Sequence, residues 1–226
     1  TKYEVTNKKG EIVQILEVET PIEAVGYSAR SPEKEEIIDL NLSTEFNFLA
    51  VSQFGPRKNF ETLLRSFVKT FKDNPDVGLV VKTHTSNTTV LDKTRTKRIL
   101  RKVLEKYTDR KCKIYLLHGE LTKDQMFSLY NHPKIHALAT TTHGEGFGLP
   151  IFEAVCSGLP VIAPDWSGHR DFLYAYTKVR KKAKSGKVTI KKKHKALFCK
   201  IPHKLEEVSQ GAVWDTVIEK GSKWCT

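Results

Sequence analysis

The sequence predicts an α/β fold in which a doubly wound parallel sheet carries a basic, strand-rich appendage. Between residues 46 and 175, short apolar runs alternate at least four times with segments of helical periodicity. The apolar runs are hydrophobic throughout rather than at every second position, which is typical of parallel strands covered by helices on both faces. Beyond residue 176 the pattern changes to a lysine-rich stretch with the alternation of a hairpin.

The strands and helices follow one another in a regular order. The predicted strands are NFLAVS, VGLVVKT, KIYLLHG, IHALAT and LPVIAP, and the helices lie over 61–71, around ILRKVLEKY, over KDQMFSLY and over 150–157. Asn59 is a candidate N-cap, and Thr122 with Gln125 forms a capping-box pattern. Gly158 ends the last helix, because glycine commonly follows a helix C-terminus.

Two flanking regions differ from this central domain. Residues 1–45 are weakly patterned and are predicted to be an N-terminal segment or interdomain linker, with EIVQILEV as one strand. Residues 176–226 are predicted to form a basic hairpin-like insertion, turning at Ser185-Gly186, and a C-terminal extension in which Trp214 and Trp224 pack on the core.

The four cysteines favour a reducing, cytoplasmic compartment. None of them forms a CxxC pair, and no Cys/His cluster has the spacing of a zinc site. Cys112 and Cys156 lie in apolar stretches, where a free thiol behaves as a small buried hydrophobe. No apolar run approaches the roughly 18 to 20 residues needed to span a bilayer.

The charge of the chain is concentrated in one segment. Of 38 basic residues, 11 lie between Lys178 and Lys200, where there is no acidic residue. The rest of the chain carries 27 basic and 26 acidic residues, so the net charge of +12 belongs to this segment rather than to the fold. The segment could attract nucleic acid, an anionic membrane surface or an acidic glycan. Its only aromatic residue is Phe198, which disfavours base stacking and makes a solvated insertion the simpler interpretation.

The loop after the fourth predicted strand carries the most informative motif, EGFGLPIFE, at residues 145–153. Ligands of parallel sheets bind at the carboxyl ends of strands, so the loops after the first four strands are the candidate site. Gly144, Gly146 and Gly148 permit close backbone approach, and the helix N-terminus that follows suits a phosphate or sugar oxygen. Glu145 and Glu153 flank this turn, and a carboxylate pairs well with vicinal hydroxyls.

The string EGFGLPIFEAVCSGLPV resembles the retaining glycosyltransferases with the two-domain GT-B fold, described as glycosyl transferases group 1 or family 4. Their donor domain carries EGFGLPxxEAxxxGxPV, which this chain matches at every fixed position. The resemblance covers residues 47–173 and implies the Rossmann-like C-terminal half of a GT-B fold.

The resemblance also implies roles for individual residues. Glu153 would hold the ribose of the donor nucleotide. Facing the transferred sugar and the diphosphate would be Glu145, Gly146, Phe147, Gly148 and Leu149. The PRKN string places Arg57 and Lys58 at the diphosphate, with Lys58 and Glu145 as the catalytic pair. Leu121 is the candidate for the base contact, although a packed Leu under the helix start is nearly as good an interpretation.

One departure from the family pattern concerns the end of the first strand. Many members have Gly-Arg there, whereas this chain has Ser52 and Gln53, so Arg57 would substitute for the missing charge. Three histidines, His84, His118 and His143, also follow strands on the presumed ligand side, and solvated or backbone-paired histidines are the simpler interpretation for them.

The predicted function is therefore retaining transfer of a sugar from a UDP- or GDP-linked donor without a metal or other cofactor. The acceptor, a glycan, lipid or protein, would bind a missing N-terminal domain, so this chain alone would be an incomplete enzyme. It would be cytoplasmic, with residues 178–200 available for contact with an anionic membrane surface. The alternatives are a nucleic-acid-binding module using residues 178–200, and a related epimerase or phosphorylase, for which the sequence shows no further motif.

Overall fold

The computed structural model describes residues 2–7, 11–17, 23, 25–29, 36, 38–182, 188–213, 218 and 220–226. The chain forms two compact units, Thr1–Arg30 and Ser31–Thr226. In the first unit, β1 (Lys2–Thr6) pairs antiparallel with β2 (Ile12–Glu17). The strand predicted in EIVQILEV is thus one arm of a hairpin.

The second unit contains ten described strands. They are β3 (Phe46–Val51), β4 (Val77–Lys82), β5 (Lys113–Leu117), β6 (Ile135–Ala139), β7 (Val161–Pro164), β8 (Tyr174–Lys182), β9 (Val188–Ala196), β10 (Cys199–Ile201), β11 (Leu205–Glu207) and β12 (Lys223–Cys225). Six of them form one sheet in the order β10-β7-β6-β3-β4-β5, and every neighbouring pair is parallel.

Helices cover both faces of this sheet. They are α1 (Phe60–Phe71), α2 (Val90–Leu104), α3 (Lys123–Tyr130), α4 (Leu149–Cys156) and α5 (Arg170–Leu173). One core cluster joins α1 and α2 to Leu79 and Val81 of β4. A second cluster joins α3 and α4 to Val80, the strand residue that lies between Leu79 and Val81. Because successive strand residues point to opposite faces, the two helix pairs lie on opposite sides. The predicted α/β, Rossmann-like doubly wound fold is confirmed.

The strand order defines where a ligand site is expected. From β3 the chain proceeds outward through β4 to β5 and then returns to the other side of β3 with β6. The carboxyl ends of β3 and β6 therefore flank the topological switch point, where a crevice opens in folds of this kind. The PRKN string follows β3 and the EGFGLPIFE string follows β6, so the two predicted halves of the site meet there.

The helix caps agree with the sequence in two of three places. Thr122 and Gln125 form a complete capping box at α3, and Gly158 ends α4 with φ of +74°. The cap predicted at Asn59 is wrong in its chemistry, because the Asn59 side chain makes no capping hydrogen bond. Asn59 instead takes the left-handed conformation, with φ of 50°, where the 3-10 turn Pro56–Lys58 passes into α1.

The basic appendage is an antiparallel hairpin of β8 and β9, with Lys178 opposite Lys192. The predicted turn at Ser185-Gly186 and the side chain of Trp214 lie outside the described residues. The second strand of the hairpin ends at Ala196, and β10 then joins the main sheet beside β7.

The thiols differ from the expectation in one case. Cys112 is buried, as predicted, but Cys156 is exposed, because α4 turns Ile151 and Ala154 rather than Cys156 toward the core. All four cysteines are unbonded. Within the described residues, no helix has the length and apolar character required to cross a membrane.

Candidate functional site

Two cations converge on one carboxylate at the switch point. Lys58, at the end of the 3-10 turn after β3, donates from Nζ to both oxygens of Glu145, at 2.6 Å to Oε1 and 2.8 Å to Oε2. Arg57 donates from Nη1 to Glu145 Oε2 at 3.0 Å. The structure thus brings together the three charged residues that the sequence assigned to the diphosphate and the sugar.

The cluster is partly shielded from solvent. The side chain of Glu145 is 10% exposed and that of Lys58 16%, whereas that of Arg57 is 42% exposed. Burial of the Glu145 carboxyl acts to raise its pKa, but the hydrogen bonds and charges of Lys58 and Arg57 outweigh it and hold the pKa below the ordinary value. Glu145 is therefore an ionised acceptor for both cations near neutral pH.

The loop after β7 fixes the backbone of Glu145. The amide of Glu145 donates to Ser167 Oγ at 2.7 Å, and the amide of Gly168 donates to the Glu145 carbonyl at 3.0 Å. A Cβ on Gly168 would overlap the Gly146 carbonyl, so only glycine permits this approach. Ser167 itself takes a positive φ of 71°.

The loops after β3 and β6 are also joined directly. His143 donates its amide to the Arg57 carbonyl at 2.8 Å. Thr142 Oγ1 donates to the carbonyls of Arg57 and Gly144, at 3.3 and 3.1 Å, and Arg57 Nη1 donates to the same Gly144 carbonyl. The position of the cations relative to Glu145 is thus set by backbone contacts as well as by charge.

His143 connects this loop to the C-terminal strand. Its ring stacks on Trp224 with 4.1 Å between ring centroids, and Nδ1 bonds to the Cys225 carbonyl. The Cys225 amide donates back to the His143 carbonyl at 3.1 Å. His143 is therefore backbone-paired, and Trp224 has the structural role that the sequence favoured.

The N-terminus of α4 lies inside the motif and is formed at a glycine. Gly148 is the N-cap of α4 and has φ of +89°. Its carbonyl accepts the amides of Ile151 and Phe152 at 2.9 and 3.0 Å. Leu149 is 43% exposed, whereas the Phe147 ring packs on Phe172 at 5.0 Å. Phe147, a predicted contact of the donor sugar, thus packs its side chain against other aromatic rings. The groups that could bind an anion here are therefore the backbone amides at the start of α4.

Glu153 has a different environment from Glu145. It is exposed on α4, and its Oε2 accepts the hydroxyl of Tyr130 at 3.0 Å. Tyr130 is only 2% exposed. Burial, reinforced by the charge of Glu153, raises the pKa of the Tyr130 phenol far above its usual value. The phenol therefore remains a neutral donor, and sequence reasoning missed it.

Leu121 and Gln53 lie in the loops that follow β5 and β3. Leu121 is half-buried and packs against the core cluster beneath α3 and α4, and its contact with the base stays a prediction. Gln53 donates from Nε2 to the Thr85 carbonyl at 2.9 Å. The chain therefore places a hydrogen bond between two loops where many family members have an arginine.

His118 is a structural residue in a buried network. Its Nε2 lies 2.9 Å from Asp92 Oδ2, and the side chains are 2% and 4% exposed. Asp92 also accepts the amides of Thr85 and Ser86 at 2.9 and 3.0 Å. Burial acts to raise the pKa of Asp92, but these hydrogen bonds outweigh it and hold the pKa far below the usual value. The network fixes the loop after β4, which includes the His84 carbonyl bonded to the Phe54 amide at 2.8 Å.

Sequence reasoning missed one loop of the site. Ser167 and Gly168 follow the fifth predicted strand, and the rule that ligands lie at strand ends would have included them had it been extended past the fourth. Tyr130 carried no comparable signal, since it is the last residue of an ordinary helix. Among the residues that the structure describes, no group of three His, Cys, Asp or Glu could hold a metal ion.

Comparison with known proteins identifies the family of this chain. The sequence profile of the family described as Glycosyl transferases group 1 matches residues 32–197, more than half of the chain. The chain belongs to the glycosyl transferases group 1 family. The matched range includes Arg57, Lys58, Glu145 and Glu153, together with the hairpin of β8 and β9.

Individual relatives are more distant. A probable sucrose-phosphate synthase from Thermosipho melanesiensis is 31% identical over 114 residues, which cover 50% of this chain and 24% of that protein. The match thus spans about a quarter of the relative's length. The C-terminal domain of LpcC, a glycosyl transferase group 1 family protein from Francisella tularensis, aligns with a TM-score of 0.44 and 23% identity over 54% of this chain and 58% of that one. An α,α-trehalose-phosphate synthase (UDP-forming) from Burkholderia vietnamiensis aligns with a TM-score of 0.45 and 14% identity over 57% and 32%.

Proposed function

We propose that this chain is the donor-binding domain of a retaining glycosyltransferase of the GT-B, family 4 type that takes its sugar from UDP or GDP. The observation that carries the proposal is the convergence of Lys58 and Arg57 on Glu145 at the switch point of the sheet. Family membership gives the reaction class, sugar transfer. Two cations beside a carboxylate would suit a diphosphate joined to a sugar, which supports the proposal.

The residues would divide the donor between them. Lys58 and Arg57 would neutralise the diphosphate as it leaves, assisted by the amides at the N-terminus of α4. Because two cations already face this position, we propose that transfer needs no metal. Glu145 would accept hydroxyls of the sugar, and Glu153, held by Tyr130, would accept those of the ribose.

The acceptor is assigned to a second domain. A GT-B enzyme reacts its two substrates in a cleft between domains, so we propose that a glycan, lipid or protein acceptor binds a partner domain N-terminal to this one. The chain alone should therefore bind donors without turning them over. We also propose a cytoplasmic site of action, because the four cysteines are free thiols and thiols stay reduced in the cytosol.

Calorimetry with UDP and GDP, in the presence of EDTA, tests the proposal. We expect one of the two to bind wild-type protein, and Glu153→Ala to weaken that binding about tenfold, because the ribose loses a charged acceptor. Added magnesium should not restore the loss. If neither nucleotide binds, and Glu153→Ala changes nothing, the assignment is wrong.

A nucleic-acid-binding module remains the competing hypothesis from the sequence. It depends on residues 178–200, and the side chains of residues 178–192 lie outside those the structure describes. Salt-dependent binding of RNA or DNA by wild-type protein, abolished by neutralising Lys191, Lys192 and Lys193, would favour it. The family match favours sugar transfer instead.

A further inference from the structure

The cations of the site are already paired with an anion that belongs to the protein. Lys58 contacts both oxygens of Glu145, and Arg57 contacts one of them. A diphosphate would seek the same donors, since phosphate and carboxylate oxygens are equivalent acceptors for Lys and Arg. A bound diphosphate must therefore either displace Glu145 or share two cations with it.

Sharing is unfavourable because the site is confined. The Glu145 side chain is only 10% exposed, so its negative charge would repel a neighbouring diphosphate with little screening by water. The backbone of Glu145 cannot move away easily, because Ser167 and Gly168 hold its amide and carbonyl. What remains free to change is the direction of the carboxylate.

A displaced carboxylate needs new donors. A buried carboxylate without hydrogen-bond partners is costly, and a bare diphosphate offers only acceptors. A diphosphate that carries a sugar brings hydroxyl groups, which can donate to the carboxylate. The two ligands therefore differ in whether they compensate Glu145 for the loss of Lys58.

We infer that Glu145 makes the site discriminate against a diphosphate that carries no sugar. Resting on the proposed function, this assigns Glu145 a role beyond orienting the sugar. Donor binding exchanges Lys58 and Arg57 from the carboxylate to the diphosphate and passes the carboxylate to sugar hydroxyls. Once the sugar has been transferred, the carboxylate competes for the cations again and favours release of the diphosphate product.

The two cations contribute unequally to this exchange. Lys58 is 16% exposed and binds both carboxylate oxygens. It is therefore the contact that Glu145 must lose when the diphosphate binds. Arg57 is 42% exposed and also donates to the Gly144 carbonyl. Arg57 can therefore keep its backbone contact while it changes its anionic partner.

The test is the affinity of inorganic pyrophosphate, which has neither sugar nor nucleoside, for wild type and Glu145→Gln. We expect the variant to bind pyrophosphate about tenfold more tightly, because a like charge beside the anion has been removed. The ratio of affinities for UDP-glucose over UDP, and for GDP-mannose over GDP, should fall in the same variant. Glu61→Gln is the matched control because it removes the same charge from an exposed glutamate. Glu61 pairs with Arg65 at 2.7 Å, so this substitution also breaks an ion pair.

The outcomes separate this inference from the proposed function. If wild type binds UDP or GDP and Glu145→Gln binds pyrophosphate equally or more weakly, the inference is wrong and the function stands. If wild type binds none of these anions, both are wrong. Should Glu145→Gln fail to fold by circular dichroism, the ¹³C resonance of the Glu145 carboxyl in wild-type protein decides. It should shift when pyrophosphate binds, and an unchanged resonance would contradict the exchange.

Discussion

The two glutamates that begin and end EGFGLPIFE lie in opposite environments. Glu145 is 10% exposed and accepts three hydrogen bonds from two cations. Glu153 is exposed and accepts one described hydrogen bond, from the neutral hydroxyl of Tyr130. Two residues that look equivalent in the motif therefore start from different electrostatic states.

The difference follows from where each residue lies. Glu145 precedes α4, in a loop that touches the turn after β3, and so it meets Arg57 and Lys58. Glu153 lies inside α4, where it accepts the hydroxyl of Tyr130 at the end of α3. On our proposal, the first carboxylate exchanges partners when the donor binds, whereas the second keeps its partner and accepts the ribose hydroxyls.

A third carboxylate, Asp92, gives the extreme case against which the pair can be measured. Its partners are permanent and belong to the fold, and no role in ligand binding is proposed for it. Asp92→Asn should cause the largest loss of stability, with Tm falling on the order of 10 °C, because an amide points two N–H donors at groups that are themselves donors. Thermal unfolding measures this, and Asp73→Asn, at an exposed position just after α1, is the control. A change as small as that of the control would mean that the Asp92 network is dispensable.

Lys58→Met sharpens the comparison from the side of the cation. It should lower the free energy of unfolding by about 2 kcal/mol, because Glu145 keeps its charge in a shielded site with one cation fewer. Pyrophosphate binding should weaken at least about tenfold, since one of two cations is lost. Urea unfolding and calorimetry measure the two effects, and Lys58→Arg should retain most of both. Equal loss in Lys58→Arg would show that shape rather than charge matters.

Acid titration distinguishes Glu145 in another way. Its pKa is depressed in the folded protein, so its contribution to stability is present above the unfolded pKa of about 4.3 and is lost as pH falls through the folded pKa. The free energy of unfolding of wild type should exceed that of Glu145→Gln by about 1 kcal/mol at pH 7. This difference should disappear as the pH falls from about 5 toward 3. Urea midpoints across this range provide the measurement. When both proteins also carry Lys58→Met, the difference in stability at pH 7 should be smaller. If the difference between wild type and Glu145→Gln did not depend on pH, the ion pairing of Glu145 would be contradicted.

Much of the fold follows from local pattern, whereas the meeting of the charged residues depends on the order of the strands. Continuous apolar runs such as VGLVVK identify buried parallel strands, and the Thr122–Gln125 capping box fixes the start of α3. The loops bearing Lys58 and Glu145 come together because their strands, β3 and β6, are neighbours whose carboxyl ends lie at one edge. The sequence analysis placed these residues in one site through the family resemblance, because local patterns do not reveal which strands are neighbours.

What the sequence did not reveal depends on long-range packing. β10 has three residues and joins β7 across the whole hairpin of β8 and β9, so no local pattern marks it as part of the sheet. Cys156 appeared apolar from its neighbours, but the rotation of α4 about its axis decides its exposure. The contact between Tyr130 and Glu153 joins two helices and depends on how α3 packs against α4.

Tyr130→Phe tests the other half of the comparison and should have the smallest effect. Removing the hydroxyl leaves Glu153 charged and solvated but free to rotate, so UDP or GDP should bind about threefold more weakly, with a stability loss of about 0.5 kcal/mol. Pyrophosphate affinity should not change, because that ligand does not reach Glu153. The preference for UDP over 2′-deoxy-UDP should fall in the same variant, because Glu153 accepts the ribose hydroxyls.

Tyr115→Phe, which loses a hydroxyl hydrogen-bonded to Ser43 Oγ at 3.0 Å, controls for the loss of a phenol elsewhere. Equal weakening of pyrophosphate and UDP by Tyr130→Phe would show that the phenol supports the whole site rather than one carboxylate.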